Sequence, residues 1–207
     1  MLKDFDVDGV TELSILDLEA IAEEYEVDFY SMLFKPLFIF DHLKVKIQKI
    51  KLLILDVDGV MTDGGMYYTE AGDQVKKYNS KDGMAIMKVQ EKGLICGIIS
   101  SAFVDQMVRN RADTLGIKHV YVGREQKIMI LKRWCGELNI SLDEVAMIGD
   151  DVNDLSIMRE VGLSACPKDA VQEVKKEVDI VLTKNGGTGV VREFIDNFLL
   201  SEPIKEY

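Results

Sequence analysis

From Lys51 onward, short apolar runs alternate with stretches whose apolar residues recur every third or fourth position, and turn residues separate the two. The runs are Leu52 to Val57, Leu94 to Ser100, His119 to Gly123, Val145 to Gly149, Leu163 to Cys166 and Asp179 to Leu182. They are continuous rather than alternating, as in parallel strands covered on both faces. Between them, Ile128, Leu131, Cys135 and Leu138 mark one amphipathic helix, and Val104, Met107, Val108, Arg111, Ala112 and Leu115 mark another that stops at Gly116. Ser141 and Glu144 form a capping box ahead of the fourth strand, and a last helix after Gly189 presents Val190, Val191, Phe194, Ile195 and Phe198. This order predicts an α/β fold, a doubly wound, Rossmann-like parallel sheet that binds ligands at the carboxyl ends of its strands.

Two segments break the rhythm. Met66 to Thr69 and Gln74 to Tyr78 flank a turn at Ala71, Gly72 and Asp73, which predicts a β-hairpin flap over the sheet. Residues 1–50 read as an N-terminal extension, helical over Thr11 to Tyr25 and then aromatic from Phe29 to Phe40. Residues 51–200 read as the main domain and 201–207 as a tail. The extension contains DVDGV at Asp6 to Val10, a copy of the DVDGV at Asp56 to Val60. MLKDF precedes the first copy instead of a buried strand, so nothing would hold its carboxylates rigidly, and it is read as chance repetition.

Composition narrows the partners. The 207 residues carry 25 Lys and Arg against 36 Asp and Glu, a net charge of −11 that repels nucleic acid and anionic bilayers. No apolar stretch approaches the roughly 20 residues that cross a membrane, and no secretory signal is visible. Three scattered cysteines, Cys96, Cys135 and Cys166, suggest neither zinc nor a disulfide framework, so the expected compartment is a reducing cytoplasm.

The candidate chemistry lies at the strand ends. Asp56 and Asp58 follow the run KLLIL, and on extended backbone residues i and i+2 point the same way. One carboxylate can attack while the other reaches a leaving group's proton; the same pair could also be a turn of solvated acids. GDDVND brings Asp150, Asp151 and Asp154 to the end of another strand, where acids from two strands would repel without a cation; an all-oxygen set suits Mg²⁺, and Asp150 or Asp151 could also cap a helix. Ser100 and Lys127 end and follow the strands between, supplying the hydroxyl and ammonium that a phosphoryl group needs.

In the order D-x-D-G, Ser, Lys, GDDxxD, this set resembles the haloacid dehalogenase superfamily of phosphohydrolases, over Lys51 to about Leu200. The resemblance implies Asp56 as a nucleophile forming an aspartyl-phosphate and Asp58 as general acid and then base. It implies that Ser100 and Lys127 hold phosphoryl oxygens, and that Mg²⁺ is bound by Asp56, Asp150 and the backbone carbonyl of Asp58. Asp151 and Asp154 would orient the metal water and Lys127. The gap from Asp56 to Ser100 is 44 residues and that from Ser100 to Lys127 is 27, too short for a separate cap domain.

The segments LDVDGVMTDGGMYY, VGREQK, IGDDVNDLSIM and NGGTGVVRE are similar to the capless phosphatases of 3-deoxy-D-manno-octulosonate 8-phosphate and of sialic-acid-type 9-phosphates. That group implies homo-tetramers, a phosphorylated sugar-acid substrate and a role in lipopolysaccharide or sialic acid biosynthesis. It also implies substrate contacts by Arg111, Arg192 and Gly83, although the two arginines could instead form helix-surface ion pairs. Where the family has Thr-Gly and a charged residue, this chain has Ser100, Ser101 and Ala102, so either serine could contact the phosphoryl group. Lys76 and Lys77 read as solvated hairpin charges or as a lure for an anion. A different class of function stays open: a module of the same fold that assembles with a sugar-activating cytidylyltransferase, as does a phosphatase of another sugar specificity.

Overall fold

The structure, a computed structural model, describes residues 14–24, 39–70, 74–102 and 105–200. The expected turn at Ala71 to Asp73, Val104, the first DVDGV, the tail 201–207 and most of the aromatic stretch before Phe40 lie outside those residues. The chain divides into two compact units, Met1–Lys44 and Val45–Tyr207. In the first, the expected helix is α1, Ile15–Glu24, where Asp17 accepts the Ser14 backbone N–H at 2.8 Å and its own N–H reaches the Ser14 hydroxyl at 3.3 Å. A second helix, α2 (Ile39–Lys49), was not anticipated: it ends just before β1.

The second unit carries the sheet. Its strands are β1 (Leu52–Leu55), β4 (Ile95–Ser100), β5 (His119–Val122), β6 (Val145–Ile148), β7 (Leu163–Cys166) and β8 (Ile180–Val181). They are all parallel, in the order β5-β4-β1-β6-β7-β8. The six apolar runs are thus six strands, as expected. The chain builds outward from β1 to β5 and then crosses back to lay β6 on the other side of β1. The carboxyl ends of β1 and β6 therefore flank the point where strand order reverses, where an open α/β sheet forms its ligand crevice.

All four residues of β1 are fully buried, since both faces of this central strand are covered. Leu52 and Ile54 pack with Ile130, Leu131 and Trp134 of α5 (Lys127–Leu138) and with Val145 and Met147 of β6. Leu53 and Leu55 point the other way, to the side of α3 (Ser80–Glu91), α4 (Gln106–Leu115) and α8 (Val190–Phe194), where Ile86, Val108 and Phe194 are fully buried. Ser141 and Glu144 form the expected reciprocal cap on the short turn before β6. The last helix is shorter than its apolar pattern: α8 stops at Phe194 and a wider turn, Ile195–Leu199, takes over. The remaining helices are α6 (Leu155–Met158) and α7 (Gln172–Glu177).

The hairpin is present as β2 (Tyr67–Tyr68) and β3 (Gln74–Val75), paired antiparallel, and Thr62 bridges Tyr78 at its base. The NGGTG segment is also structural. Gly187 donates its N–H to the Val60 carbonyl at 2.9 Å, and Asn79 Nδ2 donates to the Gly187 carbonyl at 3.2 Å. A Cβ on Gly186 would lie 1.9 Å from the Gly59 carbonyl oxygen, a backbone atom held in place by the turn after β1. Gly186→Ala is therefore expected to lower the unfolding free energy by about 1–3 kcal/mol, the usual cost of overpacking, read as a lower urea midpoint. An unchanged midpoint would show that the loop is not locked there.

Candidate active site

β1 ends at Leu55, and Asp56 continues it in extended conformation (φ −76°, ψ 167°), its N–H donating to the Ile148 carbonyl of β6 at 3.0 Å. Asp58 is also extended (φ −79°, ψ 119°), and the chain then reverses at Gly59 with φ 86°. Only glycine suits that turn: the left-handed φ disfavours any side chain, and a Cβ would fall 2.0 Å from Asp150 Oδ2. The D-x-D-G spacing thus delivers two carboxylates and then lets the acid from β6 come in against the backbone.

That second acid arrives on the loop after β6. Asp154 is wholly buried with both oxygens engaged: Oδ1 accepts from Lys127 Nζ at 2.6 Å, and Oδ2 accepts the Asp150 and Asp151 N–H groups at 3.0 and 3.4 Å. Lys127, the first residue of α5, reaches back to Asp56 Oδ1 at 2.9 Å. Asp151 instead faces outward, where its Oδ1 accepts the Val152 N–H at 2.7 Å and caps a short turn.

Asp56, Asp150 and Asp154 each place one carboxylate oxygen within 4.8 Å of the others. Burial, then Asp154, push Asp56 up to about 7 against the pull of Lys127; burial, then Asp56, Asp154 and Asp151, push Asp150 up to about 8. Burial works against the Lys127 ammonium, but Asp56 and Asp154 outweigh it and hold its pKa above the ordinary lysine value. With all three acids ionised, one ammonium leaves two negative charges crowded together, and Asp150 Oδ1 is buried without a hydrogen-bond partner. Those features fit a divalent, oxygen-seeking cation. Because both Asp154 oxygens are taken, Asp56 and Asp150 are the side chains that could bind it.

The cluster opens into a cleft of about 240 Å³, lined by Asp56, Asp58 and Asp150, by Ser100 and Ser101 at the end of β4, and by Lys76 and Tyr68 of the hairpin. Ser100 is buried and its Oγ also accepts the Ala102 N–H at 3.2 Å; Ser101 is half-buried. A tethered phosphoryl group in this cleft would meet carboxylates, an ammonium and hydroxyls at one sheet edge.

Residues 99–194 match the family model of the haloacid dehalogenase-like hydrolases. A 3-deoxy-D-manno-octulosonate 8-phosphate phosphatase of Salmonella typhi is 37% identical over 161 residues, which span 78% of this chain and 85% of that one. The chain belongs to the haloacid dehalogenase-like hydrolases. It is a phosphatase of that family, and solved structures agree. The 3-deoxy-D-manno-octulosonate 8-phosphate phosphatase of Yersinia pestis superposes with TM-score 0.75 at 36% identity, covering 77% of this chain and 86% of its own. The corresponding Moraxella catarrhalis enzyme, solved with a magnesium ion, a phosphate ion and a KDO molecule, gives TM-score 0.75 at 33% identity, covering 78% and 92%.

In this hydrolase, three residues expected to contact substrate do not line the cleft. Arg111 packs on Gly83, where a Cβ would come within 2.5 Å of its Nη2, lies over the Tyr78 ring at 5.4 Å and donates to the Asn79 carbonyl at 3.3 Å. The Arg192 guanidinium pairs with Asp196, one turn along, while its backbone N–H donates to Asp82 Oδ1 at 2.7 Å. Gly83 is thus the space that lets Arg111 lie flat on α3. Conversely, sequence reasoning did not single out Arg124 or Tyr68, which do line the cleft. The VGREQK wording already placed Arg124 between a strand end and Lys127, and that position was the available signal.

Among the described residues, no helix is long and apolar enough to cross a membrane.

Proposed function

We propose that this chain hydrolyses a phosphorylated 3-deoxy keto-sugar acid, with 3-deoxy-D-manno-octulosonate 8-phosphate the first candidate, through an aspartyl-phosphate on Asp56. The observation that carries the reading is the meeting of Asp56, Lys127 and Asp150 at the crevice between β1 and β6, in a chain similar to phosphatases of that sugar. In the first half-reaction, an Asp56 carboxylate oxygen attacks phosphorus, the bond to the sugar oxygen breaks, and Asp58 gives that oxygen its proton. In the second, Asp58 takes a proton from the water that attacks the phosphorus of the aspartyl-phosphate, and Asp56 is released as a carboxylate.

Lys127 and Ser100 hold phosphoryl oxygens through both steps, while Asp154, bonded to Lys127, keeps the ammonium aimed. Asp151 caps the loop that carries these acids. Asp56, Asp150 and the Asp58 carbonyl would hold a Mg²⁺ ion, which would supply positive charge to offset the negative charge of the phosphoryl group. A homo-tetramer belongs to the same reading and rests on the family resemblance, and a reducing cytoplasm on the unpaired cysteines.

Phosphate release is expected to vanish in EDTA and to return with added Mg²⁺; activity that survives exhaustive chelation would remove the metal from the reading. The substrate is tested by kcat/KM across a panel of sugar phosphates. The eight-carbon sugar acid 8-phosphate is expected to lead, and preference for a nine-carbon 9-phosphate or for a neutral sugar phosphate would move the assignment accordingly.

A further inference from the structure

Lys76 lies on a hairpin whose neighbouring side chains face solvent. Tyr68 is 61% exposed and Val75 55%, and the next lysine, Lys77, is 69% exposed. Lys76 itself is only 6% exposed, because its ammonium turns inward to pair with Asp58 Oδ1. Pulling a lysine out of water and ordering its long stem is costly, so a solvated charge would not adopt this position unaided. The same carboxylate oxygen lies 3.4 Å from Thr62 Oγ1, and Thr62 is tied to the hairpin base by its bridge to Tyr78. Both contacts fall on Oδ1, and both come from the side of the hairpin.

We propose that Lys76 is a positioning residue that fixes the Asp58 carboxylate, so that the hairpin governs how well the enzyme expels poor leaving groups. This rests on the reading of Asp58 as general acid and base. With Oδ1 anchored, proton transfer falls to Oδ2: its O–H bond breaks as the leaving oxygen gains that proton and the ester P–O bond opens. A charge-assisted bond restrains the rotation of a carboxyl group that would otherwise present either oxygen at variable angles. Acid assistance matters in proportion to the basicity of the leaving group. A sugar alkoxide needs it, whereas a nitrophenolate leaves almost unaided.

The test compares kcat/KM for two esters, 3-deoxy-D-manno-octulosonate 8-phosphate and p-nitrophenyl phosphate, using the full chain with saturating Mg²⁺. Lys76→Met is expected to reduce kcat/KM for the sugar ester by about 10–100-fold and for the aryl ester by less than about 3-fold, the range of a misplaced general acid. Lys76→Arg, which keeps the charge, is expected to recover part of the loss on the sugar ester. Equal losses on both esters with Lys76→Met, or no loss, would overturn the proposal, since a merely structural role has no reason to sense the leaving group.

Asp58→Asn separates the two levels of inference. If that variant shows no selective loss on the sugar ester, or if the native enzyme does not turn that ester over, the reading beneath fails and takes the proposal with it. If Asp58→Asn is selective and Lys76→Met is not, only the role of Lys76 falls.

Discussion

An Asp56→Asn protein is expected to fold normally and to release no measurable phosphate from aryl or sugar esters, a loss on the order of 10⁴-fold or more, as for removal of other enzyme nucleophiles. The amide has the same shape as the carboxylate but cannot form the aspartyl-phosphate. The stability result should run in the opposite direction. Burial and the nearby Asp154 carboxylate push Asp56 up to about 7, so in the folded chain its ionised form is disfavoured. A carboxyl raised in this way weakens folding as pH climbs from about 4 through 7, because the unfolded chain has by then released a proton that the native state must still hold. In EDTA at neutral pH the variant should therefore melt no lower than the parent protein. Appreciable turnover by a folded Asp56→Asn protein would end the covalent mechanism.

Lys127→Met should do the reverse to stability. The ammonium touches Asp56 and Asp154 in a space where its own side chain is 3% exposed and that of Asp154 is wholly buried. Removing it leaves three facing carboxylates with no cation between them. Breaking a buried pair of this kind costs about 3–5 kcal/mol, because the surviving charge is stranded. The loss should be largest in EDTA and partly recovered with Mg²⁺, so the melting temperature of the variant should respond to the metal more steeply than that of the parent. Activity should fall by about 10²–10³-fold, the scale for removing one donor to a reacting oxyanion. A variant that melts in EDTA at the parent temperature would mean that Lys127 does not balance this cluster.

The strands were legible because a parallel strand buried on both faces must be apolar throughout, and three of the runs ended where Asp56, Ser100 and Asp150 enter the crevice. Asp56, Ser100, Lys127 and Asp150 could be found for that reason: each stands at or just after a run. What the pattern hid depends on direction in space. Nothing local distinguishes Lys76 from Lys77, yet one turns in to Asp58 and the other pairs with Asp63 outside. Asp151 and Asp154 both follow the same strand, but the turn buries one against Lys127 and leaves the other as a cap. For Arg111 and Arg192 the family resemblance implied substrate contacts and the helix surface offered ion pairs; in the fold Arg111 lies along α3 and Arg192 makes the ion pair, with Asp196. Helix α2 was obscured because the aromatic stretch that runs up to Phe40 continues into its first turn and hides where it begins.

The seating of Gly186 and Gly187 on the turn that follows Asp58 bears on synthesis as well as stability. The loop that carries Asp56 and Asp58 is among the first parts of the main domain to leave the ribosome, yet the segment that clamps it is among the last. A growing polypeptide therefore carries Asp56 and Asp58 long before the segment that packs against their turn has been made.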